Sequence, residues 1–174
     1  MRIRDACEGD LPALKTLMNH YRQNTHHSWD KRLLTEEQMQ AWLMEHSAPP
    51  YAALVAEEGG NILGYASLSV FRPHTGYRLT AENSVYTIPG EQGRGTGGKL
   101  LRALLERAQT NGLRVITAWI DGGNTHSIAF HERYGFALVG TMRGVGTLDG
   151  QPRDVVILQY DLPQPAVQPD CASL

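Results

Sequence analysis

Four glycines fall within the seven residues Gln92-Gly93-Arg94-Gly95-Thr96-Gly97-Gly98. They stand between a run of strand formers, Ser84-Val85-Tyr86-Thr87-Ile88, and a stretch beginning near Lys99 in which Leu100, Leu101, Leu104, Leu105 and Ala108 recur at helical spacing. Strand, Pro89-Gly90 turn, glycine loop and amphipathic helix, in that order, make the first part of a crossover unit, and the strand-like run from Val115 to Ile120 completes it. Such a unit demands a sheet with helices packed on it. The loop also predicts an anion cradle: glycines let successive backbone N–H groups turn inward, and the following helix adds its positive N-terminal end.

The flanking segments extend this frame. Ile3 begins a short strand, and Asp10-Leu11-Pro12 opens a helix in which Asp caps, Pro occupies the first turn, and Leu14, Leu17 and Met18 form the apolar stripe. Thr35 and Gln38 have capping-box spacing ahead of a second helix carrying Met39, Trp42 and Leu43. Tyr51 to Ala56 and Ile62 to Val70 read as strands joined through Gly59-Gly60-Asn61. After a loop from Arg72 to Ala81 comes the strand through Val85. Asn124 caps the next helix, and a final β-hairpin from Phe136 onward turns near Asp149-Gly150. A hairpin followed by a βαβ unit predicts an α/β fold with a mixed sheet and helices on both faces.

The length of 174 residues fits one domain, placed at 1–161, with a proline-bearing tail over 162–174 expected to be poorly ordered. Net charge is −2 with both signs interspersed, so the sequence predicts neither a nucleic-acid partner nor a membrane partner. Cys7 and Cys171 lack metal or redox spacing, and the N-terminus lacks the apolar core of a secretion signal; both features suit the cytoplasm. His26 and His27 are adjacent, and His126 and His131 miss the i, i+4 spacing of a helical zinc pair, so no metal is expected. One motif competes for the glycine loop. Gly93 to Lys99 nearly spells the phosphate loop of nucleoside-triphosphate hydrolases, but Leu100 stands where that loop needs a hydroxyl for Mg²⁺.

The order Gln92-x-x-Gly95-x-Gly97, then Asn124 heading a helix that ends in Tyr134-Gly135-Phe136, resembles the GCN5-related N-acetyltransferase (GNAT) superfamily. Over residues 1 to about 161, Phe71-Arg72, Gly76-Tyr77-Arg78, Glu82 to Tyr86 and Ser127 to Glu132 further resemble its phosphinothricin and methionine sulfoximine branch. The resemblance implies a sheet of about seven strands flanked by about four helices, and acetyl transfer from acetyl-CoA, as cosubstrate, to a small-molecule amine. It also raises a homodimer as a candidate assembly.

By the same resemblance, Gly93, Arg94, Gly95, Thr96, Gly97 and Gly98, with Gln92 at the first motif position, are expected at the CoA pyrophosphate. Val85, Tyr86 and Thr87 would offer main-chain hydrogen bonds to the pantetheine arm, and main-chain N–H groups near Val85 would meet the oxyanion. Asn124 and Arg133 complete the cofactor side. Glu82 is the expected base, because an ammonium must lose a proton before its nitrogen can attack. His131 is the expected donor to the departing thiolate, with water as the alternative and Tyr134 as a spare. Arg72 and Arg78 would grip a carboxylate or phosphinate, with Trp29 and Tyr77 walling the pocket.

The branch usually carries Lys-Phe-Gly-Arg-Trp near the last hairpin, where this chain has Leu148-Asp149-Gly150-Gln151-Pro152. Three readings therefore stand at this point: transfer to the α-amine of an amino acid or analogue, transfer to a peptide, protein N-terminus, lysine or polyamine, and a non-catalytic CoA-binding sensor.

Overall fold

A computed structural model describes residues 1–91 and 93–164. The elements in chain order are β1 (Arg2–Asp5), α1 (Leu11–Asn24), α2 (Glu36–Glu45), β2 (Ala52–Glu58), β3 (Asn61–Val70), β4 (Thr80–Thr87), α3 (Thr96–Thr110), β5 (Val115–Asp121), α4 (Thr125–Arg133), β6 (Ala137–Leu148) and β7 (Gln151–Asp161). The strands form one seven-stranded sheet in the order β1-β2-β3-β4-β5-β7-β6. β4 and β5 pair in parallel and every other neighbouring pair is antiparallel. The expected mixed sheet with helices on both faces is the observed one.

Each face has its own core. On one face Leu100, Leu101, Leu104 and Ala108 of α3, all inaccessible to solvent, pack on Leu54, Ala66, Leu68 and Ile116. On the other, Leu14, Leu17 and Met18 of α1 and Met39 of α2 close over Val55 and Tyr65. Strand alternation decides which residues face which core. Glu82, Ser84 and Tyr86 sit opposite Ser69, Ser67 and Tyr65 of β3 and so lie on the α1/α2 face, whereas Asn83 and Val85 lie on the α3/α4 face.

Four local readings change. Asp10 does not cap α1 with its side chain: its buried carboxylate instead accepts from Arg4 Nη1 and Nη2 at 2.7 and 2.8 Å and from the Cys7 N–H at 2.9 Å, because a two-pronged, charge-assisted bond to a half-buried guanidinium outcompetes a helix N–H. α3 begins at Thr96, three residues before Lys99, and β4 begins at Thr80 within what reads as loop. The Thr35–Gln38 capping box forms as expected, with reciprocal bonds of 3.2 and 3.0 Å. Leu162, assigned to the tail by sequence, is buried in the α3-side core and its N–H donates to Arg114 O at 2.9 Å. The rest of the expected tail from residue 165, with Cys171, lies outside the described residues.

Candidate active site

The pairing of β4 with β5 stops early. It covers Thr80 to Glu82 against Val115 to Thr117, although β4 continues to Thr87 and β5 to Asp121. Past that point the two strands splay apart, and the facing edge of β4 is released from the ladder. A cleft of about 620 Å³ occupies the gap. Because the gap cuts through the sheet, residues from both faces line it: Glu82, Ser84, Tyr86 and Trp119 from the α1/α2 face, and Asn83, Val85, Phe130 and His131 from the α3/α4 face.

On the α3/α4 side, Gly93 and Gly95 hold φ of 81° and 84°, a region that glycine enters without steric cost, and a Cβ on either would meet no atom within 4 Å. The loop backbone is therefore open on its outer side and leads directly into the N-terminus of α3. Thr96 Oγ1 donates to Glu91 Oε2 at 3.0 Å, and Arg94 pairs with the other carboxylate oxygen at 2.8 Å, so buried Glu91 ties both ends of the loop. Gly97 lines the cleft. Gly98 is buried against α4, where an added Cβ would overlap the Tyr134 hydroxyl and lie 2.8 Å from its Cζ. Gln92 lies outside the described residues. Asn124 lines the cleft while its Oδ1 accepts from the Ser127 N–H at 3.1 Å, so one residue both caps α4 and faces the gap. Thr87 lines the cleft too, its carbonyl accepting from the Tyr21 hydroxyl at 2.8 Å.

Glu82 sits inside β4, two residues beyond its start. Burial raises its pKa above the ordinary carboxylate value, and the nearby Arg72 charge opposes that shift without cancelling it. A partly desolvated carboxylate with no hydrogen bond to another described residue is suited to accepting a proton. Tyr86, whose hydroxyl donates to His27 O at 2.8 Å, is pushed up to about 12 by burial and remains a phenol.

His131 is buried in α4, and burial lowers its pKa. Its Nδ1 lies 2.8 Å from Ser127 O, which fixes the proton on Nδ1, and its Nε2 accepts from the Asn83 amide at 3.0 Å. The neutral ring thus spends its one N–H on a backbone carbonyl. Presenting Nε2–H to a thiolate requires a second proton that burial disfavours.

The expected substrate grip is only partly assembled. Arg72 stacks over Phe71 and Trp119, its Cζ 4.8 and 5.1 Å from the two ring centroids, and bonds Phe71 O through Nη1 at 3.0 Å. It therefore stands at the edge of the cleft beside Glu82. Tyr77 packs edge-on against Phe71 at 5.5 Å and buttresses that stack. Arg78 follows the short 3-10 turn Thr75–Tyr77 and does not line the cleft; its side chain and that of Arg133 are exposed and make no hydrogen bond or ion pair with another described residue. Trp29 does line the cleft.

Sequence reading missed Trp119 and Asn83. Trp119 shares a sheet face with Glu82, a relation carried by the Glu82–Thr117 register and by alternation along β5. Trp119 Nε1 and Asn83 Oδ1 are buried without a hydrogen-bond partner, two polar atoms at the gap unmatched by the protein. Among the described residues no cluster of His, Cys, Asp and Glu is arranged to hold a metal ion.

The Acetyltransferase (GNAT) family model matches residues 14–136. The chain is 40% identical over 161 residues to the L-methionine sulfoximine/L-methionine sulfone acetyltransferase of Pseudomonas aeruginosa, an alignment covering 92% of this chain and 94% of that one. It is 37% identical over 158 residues to the phosphinothricin N-acetyltransferase of Streptomyces coelicolor, covering 89% and 92%. Among solved structures, the phosphinothricin acetyltransferase of Sinorhizobium meliloti in complex with acetyl-CoA superposes with a TM-score of 0.90 at 31% identity, over 97% of this chain and 91% of that one. A splayed β4/β5 pair with a glycine loop at the head of α3, matched over most of the chain by these relatives, makes this protein a member of the GNAT acetyltransferase family.

Proposed function

We propose that this chain is an acetyl-CoA-dependent N-acetyltransferase acting on the α-amine of a small amino acid or amino-acid analogue by direct attack. The observation that carries the reading is the splay itself, which puts a desolvated carboxylate, Glu82, on one face of the gap and an open glycine loop on the other. The residues present suit a CoA group. The loop Gly93 to Gly98 would hold its pyrophosphate, the released edge of Val85 to Thr87 would pair with its pantetheine arm as a strand would, and Asn124 would face it from α4. When bound, acetyl-CoA supplies the activated acetyl group.

The chain's own residues do the rest. The carboxylate of Glu82 takes the proton from the substrate ammonium and so frees the nitrogen lone pair. Arg72, held in place by Phe71 and Trp119, offers its remaining guanidinium N–H groups to the substrate carboxylate, and Trp29 walls the side-chain end. Arg78 is no part of this grip. His131 positions the gap through Asn83, and the proton for the thiolate comes from water. The same reading places the enzyme in the cytoplasm, with a homodimer formed along edge strand β6, where Leu138, Val139, Met142 and Val145 are exposed.

The test is thiol release from acetyl-CoA across phosphinothricin, methionine sulfoximine, methionine sulfone, the common amino acids, polyamines and short peptides. Turnover confined to amino acids and their analogues is expected. Activity on polyamines or peptides alone would overturn the pocket assignment, and tight CoA binding without turnover would make the protein a sensor.

A further inference from the structure

The loop between α1 and α2, whose His27 to Trp29 line the cleft, is fastened to the β6–β7 hairpin, and the fastening is built on a glycine. In β6 the register against β7 shifts between Met142 and Gly146, so this stretch bulges; Gly144, at φ 59°, donates its N–H to Asp154 Oδ1 at 2.7 Å and fixes the bulge. The strand then presents Gly146 to Trp29. A Cβ at that position would lie 3.0 Å from both Cε3 and Cη2 of the indole and closer still to Cζ3, so the ring rests on the bare Cα. Three residues on, at the hairpin turn, Asp149 bonds His26 Nε2 at 2.7 Å. From the other side, Tyr86 of β4 donates its hydroxyl to His27 O at 2.8 Å.

We propose that Gly146 is a specificity-determining residue: it seats Trp29 at a fixed depth over the acceptor side of the cleft and so sets how long a side chain the amine substrate can carry. The inference rests on the amino-acid acetyltransferase reading above. Any side chain at 146 must drive the indole off β6 toward the cleft, because the ring has backbone behind it and open volume before it. Glu82 and the glycine loop are untouched by this displacement. The seat therefore acts on acceptor binding and leaves proton transfer and cofactor binding alone.

The test is a double-mutant cycle on Gly146→Ala and Trp29→Ala, using methionine sulfone as the long acceptor and alanine as the short one. Gly146→Ala is expected to raise KM for methionine sulfone at least tenfold and for alanine less than threefold, with kcat and acetyl-CoA affinity within threefold of wild type. In the Trp29→Ala background Gly146→Ala should have no further effect on either. An equal loss on both acceptors, or the same loss with the indole already gone, overturns the proposal.

A second readout separates the seat from the enzymology. In protein labelled with 7-fluorotryptophan, which carries fluorine on Cζ2, the Trp29 resonance is assigned by Trp29→Phe and should move with Gly146→Ala and with added methionine sulfone. A resonance indifferent to both overturns the seat. One that responds to both in a protein that turns over no amine counts against the acetyl-transfer reading alone.

Discussion

Replacing Glu82 by Gln should make the protein a worse enzyme and a more stable one, and the two effects have the same physical origin. Burial holds the carboxyl's folded pKa above its unfolded value, which is about 4.3, so ionising it in the folded state costs free energy. The sign follows by linkage. A group whose folded pKa is raised contributes stability that is fully present below the unfolded value and is lost as pH rises through the folded one. Near neutral pH the wild type carries that loss and the Gln variant does not. Unfolding midpoints should therefore coincide below about pH 4 and separate in favour of Glu82→Gln above it, by ~2–4 °C for each kcal/mol in a domain of this size. On the kinetic side, removing a positioned general base typically costs a factor of about 10²–10⁴, or roughly 2.7–5.4 kcal/mol of barrier. The loss should fall on kcat, with acetyl-CoA affinity unchanged because the glycine loop proposed to hold the cofactor leads into α3, on the opposite face of the sheet from Glu82. Differential scanning calorimetry from pH 3.5 to 8, alongside pH–rate profiles, checks both halves. A variant equally slow but less stable at pH 7 would show that Glu82 is held by unseen favourable contacts, and a variant with unchanged kcat would end its role as base.

Two further outcomes follow from packing and charge. Gly98→Ala should cost ~1–3 kcal/mol in urea unfolding, because the new methyl displaces the Tyr134 ring that packs α4 against α3, and Tyr134→Ala should abolish most of that penalty in the double variant. Asp10→Asn should cost roughly 1–3 kcal/mol at pH 7 by breaking the two-pronged bond with Arg4. Since Arg4 holds the Asp10 pKa below its unfolded value of about 3.9, that penalty should shrink as pH falls below this value, and an acid-insensitive difference would place its origin elsewhere.

The βαβ unit was legible because its determinants are local. Leucines at helical spacing place α3, strand formers place β4 and β5, and a crossover joins them. The errors arise where a local preference is overruled at a distance. Thr96-Gly97-Gly98 are poor helix formers, yet the helix starts there because Gly95 turns the chain at positive φ and Glu91 receives the Thr96 hydroxyl. Thr80 and Ala81 belong to β4 because β5 supplies partners, Val115 and Ile116, from beyond an intervening helix. Asp10 looked like a cap because the four residues after it read as a helix start. Its actual partner, Arg4, lies across a turn.

The candidate site divides along the same line. Residue identities at 82, 124 and 131 were readable by family resemblance, but their chemistry depends on contacts the sequence does not order. His131 reads as an acid from its type; the Ser127 carbonyl and an asparagine 48 residues away fix its proton on the other nitrogen. Arg72 and Arg78 look equivalent in a spacing argument, yet one 3-10 turn between them leaves the first stacked at the cleft and the second in solvent. Trp29 is a plausible wall in sequence, but what makes it one is a bulge and a glycine in a strand near the other end of the chain, with the neighbouring His26–Asp149 pair spanning 123 residues. Cofactor binding can be local because backbone amides and a helix terminus suffice for a phosphate. Acceptor selection requires groups to converge from the α1–α2 loop, β4 and β5, seated on a bare glycine of β6, so the part of the function most specific to this protein is encoded in the contacts least visible along the chain.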